Sequence, residues 1–198
     1  MPDFLRSYSE DFYCRPTLEV ARDLLGARLC RRINGKNVLT GPIVEVEAYT
    51  ANDPACHASR GKTKRCDVMF GPPGHAYVYF IYGMYHCLNV VTEPDGVPGA
   101  VLIRAVGADG TNGPGKLCRE WQIDAKHNGK TLIEPGSELW ICPDEDILDK
   151  AVGVTPRIGI SSAQDRLWRF FIKDHPAVSN KILPPKPFKT SLIRSHGA

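Results

Sequence analysis

The extended run IVEVEAY places Glu45, Glu47 and Tyr49 on one face and Val44, Val46 and Ala48 on the other, because successive side chains of a strand alternate. The valine face suits a core. The two carboxylates and the phenol then meet either solvent, as on any half-exposed strand, or a cleft in which one carboxylate could act as a general base. A second group is YVYFIYGMYHCLNVV, which crowds Tyr77, Tyr79, Phe80, Tyr82 and Tyr85 into nine residues. Alternation there gives Tyr77, Tyr79 and Ile81 one face and Val78 and Phe80 the other. The turn carries Tyr82 and Met84 around Gly83, where tips that face water take Asn, Asp or Gly. An aromatic tip fits a covered surface: a turn folded back on its own core, a protein contact, or an apolar wedge between base pairs.

Two further groups are basic. HASRGKTKRC sets Arg60, Lys62, Lys64 and Arg65 within six residues without an acid, which suits phosphate contacts or an ordinary solvated loop. Gly113-Pro114-Gly115-Lys116 stands at a helix start, where free N–H groups favour an anion, although glycines are common at helix starts of every kind. Adjacent Cys56-His57 and His86-Cys87 could ligate a metal in principle. The seven cysteines, however, contain no CxxC pair and are widely spaced, which reads as reduced, buried small hydrophobes and no metal site.

The elements that must position these groups are short. TLEVARDLL has a helical apolar stripe ending at Gly26, and NGPGKLCREWQI becomes a helix after its turn. ARLCRRI and NVLTGPIVEVEAY flank Asn34-Gly35, a signal for a two-residue hairpin. The aromatic run forms a second extended pair, AVLIRAV reads as a buried strand, and ELWICP, RIGIS and LWRFFIK as short strands. The reading is one α+β domain dominated by antiparallel strands over 1–198, with a Pro-rich tail beyond about 174 strapped to the surface or loose.

Length and composition agree with that. The 198 residues supply enough material for one real core, and 42% hydrophobic with 24% charged residues is ordinary for a globular chain. No apolar run approaches a bilayer span, and MPDFLRSYSEDFY lacks the apolar stretch of a signal peptide, so a soluble intracellular protein is expected. A net charge of +3 says little about partners by itself.

A basic surface, an aromatic wedge and a carboxylate are together what base excision needs, since the glycosidic carbon is reached only when a nucleotide leaves the duplex. At these residues the chain resembles the alkyladenine (3-methyladenine) DNA glycosylase family. The similarity rests on VARDLLGARLCRR, IVEVEAYTANDPACHASRG, MFGPPGHAYVYFIYGMYHCLNVV, AVLIRA, NGPGKLC and RIGIS, in the family's order from about residue 17 to 173.

The resemblance implies a curved antiparallel β-sheet with flanking helices and a protruding β-hairpin. It makes Glu47 the acid that deprotonates a water for attack on C1′, with Arg104 and the carbonyl of Ile158 helping to hold that water. Tyr49, His57 and Tyr79 match the aromatic walls around the flipped base. Asn89 matches the residue that bears on the purine edge and disfavours guanine, and Ala55 and Leu102 line the same pocket. Tyr82 matches the residue that fills the vacated space, with Met84 beside it. The implied partner is duplex DNA with damaged purines, bound by a monomer without cofactor, metal or membrane, in a bacterial cytoplasm at the nucleoid or in a nucleus. One departure is the connection between AVLIRAV and NGPGKL, longer and charged in the family but only GADGT here, which reduces one flank of the expected DNA surface.

Two rival readings remain. Met1-Pro2 would leave an N-terminal proline amine, used as a nucleophile by some glycosylase-lyases, but the zinc-finger cysteine pattern of those enzymes is absent and Pro2 is read as incidental. A non-catalytic nucleic-acid-binding domain on the same fold would need no carboxylate in the cleft. With no lysine in the matched pocket blocks to form a Schiff base, the enzyme is expected to be monofunctional.

Overall fold

The computed structural model describes residues 6–179, so Pro2 and the LPPKPFKT part of the tail lie outside the described residues. The fold is α+β, organised by one curled antiparallel sheet of eight strands. Two short helices come first, α1 (Glu10–Tyr13) and α2 (Thr17–Asp23). There follow β1 (Arg28–Ile33), β2 (Asn37–Thr50), β3 (Ala76–Ile81), β4 (Tyr85–Val91) and β5 (Gly99–Val106). After α3 (Pro114–Glu120) come β6 (Leu139–Cys142), β7 (Val152–Thr155) and β8 (Arg169–Ile172). The order is β3-β4-β5-β2-β1-β6, and β8 joins β2 to β7.

The long strand β2 organises the sheet. Its first half pairs with β1, and its second half lies between β5 and β8. The change of partner falls near Pro42, which has no N–H to donate; its carbonyl accepts from Gly107 N–H at 2.7 Å. Further along, register shifts lie between Ile43 and Glu45 and between Glu45 and Val46, and Arg104 has no Cα partner between the Val46–Ile103 and Glu45–Ala105 pairs. Bulges of this kind bend a strand and re-aim its side chains. Here the bulge puts an arginine beside two glutamates.

Period-two alternation sorts four strands into a core face and a site face. Ala76 and Val78, Leu88 and Val90, Val101 and Ile103, and Val46 and Ala48 are buried in the main core with Val20, Ala21, Leu24, Leu117 and Trp121 from the helices and their ends. Tyr77 and Tyr79, Cys87 and Asn89, Leu102 and Arg104, and Glu47 and Tyr49 face the other way and line one cavity. Thus the polar face of β2 does not meet solvent: Glu45 and Glu47 are both 0% exposed.

Three sequence expectations change. The Asn34-Gly35 hairpin is present, with φ of 52° and 69°, but pairing resumes at Asn37, one residue later than a two-residue loop would have it. RIGIS is not a strand. Its backbone is irregular, and the ladder position is taken by β7 just before it. The segment after Asp174 is not loose as far as it is described: it runs inward, and Ser179 is buried. All seven cysteines are free, with Cys14 alone exposed. Among the described residues no three His, Cys, Asp or Glu side chains are placed to share a metal ion, and no helix is long and apolar enough to cross a membrane.

Candidate active site

The site face of the sheet is the floor of a cavity of about 800 Å³, within the usual range for small-molecule pockets. Glu47 is at its base. Its Oε1 accepts from the backbone N–H of Ile158 at 2.7 Å, and its Oε2 accepts from the Tyr49 hydroxyl at 2.9 Å. A guanidinium nitrogen of Arg104 lies 3.3 Å from the same Oε2. Three donors from three segments therefore converge on one carboxylate. Ile158 N–H is spent on Glu47, so it is not free for the ladder that the composition of RIGIS suggests.

Burial works against the Arg104 charge, but Glu47 and Glu45 outweigh it and raise its pKa. Burial, with the Glu47 charge behind it, pushes the Tyr49 phenol far above its ordinary value, so Tyr49 keeps the proton it donates.

The walls are aromatic. His57 Nδ1 lies 2.8 Å from the Tyr77 hydroxyl, and its ring stands 4.6 Å from that of Tyr79 at 80°. No base fits between two rings that close, so His57 and Tyr79 form one wall. Desolvation of its packed side lowers the His57 pKa, and the charge of Arg65 adds to this. Asn89 is held by Nδ2, which donates to the carbonyl of Tyr77 at 3.0 Å. Ala55 and Leu102 also line the cavity.

Tyr49 is backed by a feature the sequence does not announce. Arg157 lies 4.6 Å from the Tyr49 ring centroid and 5.1 Å from that of Trp168. It donates to the Ala48 carbonyl at 2.8 Å and grips Asp53 through both carboxylate oxygens, all of it buried. Asp53 in turn accepts from Ala55 N–H at 3.1 Å. Asp53 and Arg157 thus tie the 53–57 loop, the Tyr49 ring and the 157–158 loop into one unit. Both residues fall inside segments that the family resemblance rests on, but nothing in their local sequence pairs them.

The β3–β4 hairpin projects from the rim. Tyr82 is 75% exposed and Met84 65%, and Tyr82 lines the cavity mouth whereas Met84 does not. Tyr82 adopts φ of 54°, a left-handed conformation that disfavours bulky side chains. Gly83 follows with φ of 66°, so the tight turn itself demands the conformation, and the sequence meets it with a tyrosine where Asn, Asp or Gly is the usual choice. Tyr82→Ala should weaken binding to a duplex bearing a tetrahydrofuran abasic-site analogue by about 1–3 kcal/mol, through lost stacking, with undamaged duplex nearly unaffected. Equal affinities of variant and parent in a fluorescence titration would remove the wedge.

Of the basic residues, Arg60 and Lys116 line the cavity and Lys62, Lys64 and Arg65 do not. Arg65 lies 5.5 Å from the Tyr79 ring centroid and Lys62 5.7 Å from that of Phe70. Lys116 corrects the reading of a lysine-free pocket, although it is exposed and its Nζ donates to Asn112 at 3.0 Å. Gly115 has a packing reason: a Cβ there would come within 2.9 Å of the Tyr85 ring. Glu47, Arg104, Tyr49, His57, Tyr79 and Tyr82 thus all line the one cavity.

The chain is similar to known proteins over most of its length. A family model described as methylpurine-DNA glycosylase matches residues 11–110 and 107–176, the two stretches overlapping in the connection after β5. A relative from Carboxydothermus hydrogenoformans, provisionally named a 3-methyladenine DNA glycosylase, is 49% identical over 86% of this chain and 97% of its own length. Relatives with the same provisional name are 48% identical in Methanocella arvoryzae, over 86% of this chain and 94% of the relative, and 43% identical in Trichodesmium erythraeum, over 83% and 93%.

Proposed function

The chain belongs to the methylpurine-DNA glycosylase family, and from that premise we propose that it excises alkylated purines from duplex DNA by a water that Glu47 activates. It is a DNA glycosylase, and its substrate is DNA. The observation that carries the reading is the buried Glu47 carboxylate at the floor of an aromatic cavity whose mouth holds Tyr82.

In this reading the damaged nucleotide leaves the stack, Tyr82 fills its place, and the base enters between Tyr49 and the wall of His57 and Tyr79. Arg157 occupies one face of Tyr49, so the base takes the other. Aromatic faces favour a base that alkylation has made cationic. Such a base is already a good leaving group. A water at Glu47 and Arg104 attacks C1′ as the C1′–N bond breaks; the bonding pair leaves with the base, and Glu47 takes the proton of the water. The product is an abasic site. Asn89, pinned by its bond to Tyr77, bears on the purine edge, while Arg60, Lys62, Lys64, Arg65 and Lys116 hold phosphates.

Water, not an amine, is the nucleophile, so the phosphodiester chain survives. Incubation with duplex DNA treated with dimethyl sulfate should release 3-methyladenine, and the labelled strand should break only after alkali or heat. Strand breaks without that treatment would point instead to an amine such as Lys116. Base release that is absent altogether would favour a non-catalytic binding domain.

A further inference from the structure

Glu45 is two residues from Glu47, fully buried, and outside the cavity, so the chemistry of base release makes no direct use of it. Yet four donors meet it. Arg104 Nε reaches its Oε1 at 3.0 Å and Arg169 Nε the same atom at 2.7 Å. The other two come from one residue: Ser179 N–H donates to Oε2 at 2.6 Å and Ser179 Oγ to Oε1 at 2.9 Å.

Ser179 is also held in return. Arg169 donates through Nη2 to the Ser179 carbonyl at 2.9 Å, and Arg104 Nη2 lies 3.4 Å from Ser179 Oγ. The guanidinium of Arg104 is therefore gripped at two of its three nitrogens, Nε by Glu45 and Nη2 by Ser179. Because the group is a rigid plane, fixing two nitrogens fixes the third, and that third nitrogen is the one 3.3 Å from Glu47. Without the hydroxyl, Nη2 loses its partner and only the 3.3 Å contact with Glu47 itself sets the plane about Nε, so the fork follows Glu47 where before it presented a fixed charge to it.

We infer that Ser179 is a positioning residue for base release: through Glu45 and its own hydroxyl it sets the Arg104 fork against Glu47. This rests on the glycosylase mechanism proposed for Glu47. It makes the segment after β8 part of the catalytic apparatus, although none of the described residues of that segment lines the cavity.

The test is single-turnover release of 3-methyladenine from dimethyl-sulfate-treated duplex DNA with enzyme in excess. Ser179→Ala should lower the rate constant roughly tenfold, as the loss of a hydrogen bond to charged groups does, at full reaction amplitude and unchanged affinity for a tetrahydrofuran duplex. Ser179→Thr, which keeps the hydroxyl, should restore the rate. In an Arg104→Lys background, where no fork remains to be oriented, Ser179→Ala should cost nothing further. A parental rate for Ser179→Ala overturns the inference and leaves the glycosylase reading intact. So does a loss of amplitude at an unchanged rate constant, which marks a folding role alone, or an equal loss in both backgrounds. Failure of the parent chain to release any base would sink both.

Discussion

Glu47→Gln should bind a tetrahydrofuran duplex as tightly as the parent and release 3-methyladenine at least about a thousandfold more slowly, within the range a general base contributes. The substitution is close to isosteric. The glutamine carbonyl oxygen can still accept from Ile158 N–H or from Tyr49, so the 157–158 loop and the Tyr49 wall should stay in place. What is lost is the capacity to take a proton from water. The amide also turns its donor hydrogens either towards Arg104 and the Tyr49 hydroxyl, which share one oxygen, or towards Ile158 N–H, so some local loosening is expected. A thermal midpoint measured alongside guards against misreading that loosening as chemistry. Lost release with retained binding separates an enzyme from a binding domain on the same fold. Release at the parental rate would remove Glu47 from the mechanism, whatever the family.

Much of the site was legible in the residues. The alternation of IVEVEAY and of YVYFI set Val46, Ala48 and Val78 apart from Glu47, Tyr49, Tyr77 and Tyr79, but it grouped Glu45, which lies outside the cavity, with the site and Phe80, which is exposed, with the core; Tyr82 and Met84 at a hairpin tip marked an unusual turn. What alternation could not say was whether the polar face of β2 meets water or a cleft. That depends on β8, which arrives from residues 169–172 to cover the Glu45 side. RIGIS misled for a related reason. Its composition favours a strand, but a carboxylate more than a hundred residues earlier takes the N–H a ladder would need. Ser179 was hidden by its neighbourhood, since a Pro-rich tail gives no sign that one serine turns inward. Asp53 and Arg157 were hidden by distance along the chain. Nothing local distinguishes them from an ordinary loop acid and an ordinary surface arginine.

That last pair carries the largest expected effect on stability. Asp53→Ala should destabilise the protein by about 3–5 kcal/mol, because it strands the Arg157 charge in a buried site and does not merely delete a contact. For a chain of this size that is a fall of roughly 10 °C in thermal midpoint. The pair is bidentate, and Arg157 has no carboxylate partner but Asp53 among the described residues. Function should fall with it in a particular way. The Asp53 bond to Ala55 N–H shapes the loop that carries His57, and Arg157 backs the ring of Tyr49, so both walls of the cavity loosen together. Glu47 keeps Arg104 but loses the firm position of Ile158 N–H. The variant, assayed well below its midpoint, should therefore show weaker capture of the damaged base as well as slower release. Asp53→Asn retains an acceptor for Ala55 N–H and one bond to Arg157, and should fall between the two. If Asp53→Ala melts within a degree or two of the parent, the buried pair is an incidental contact, and the cavity walls must owe their order to the aromatic packing alone.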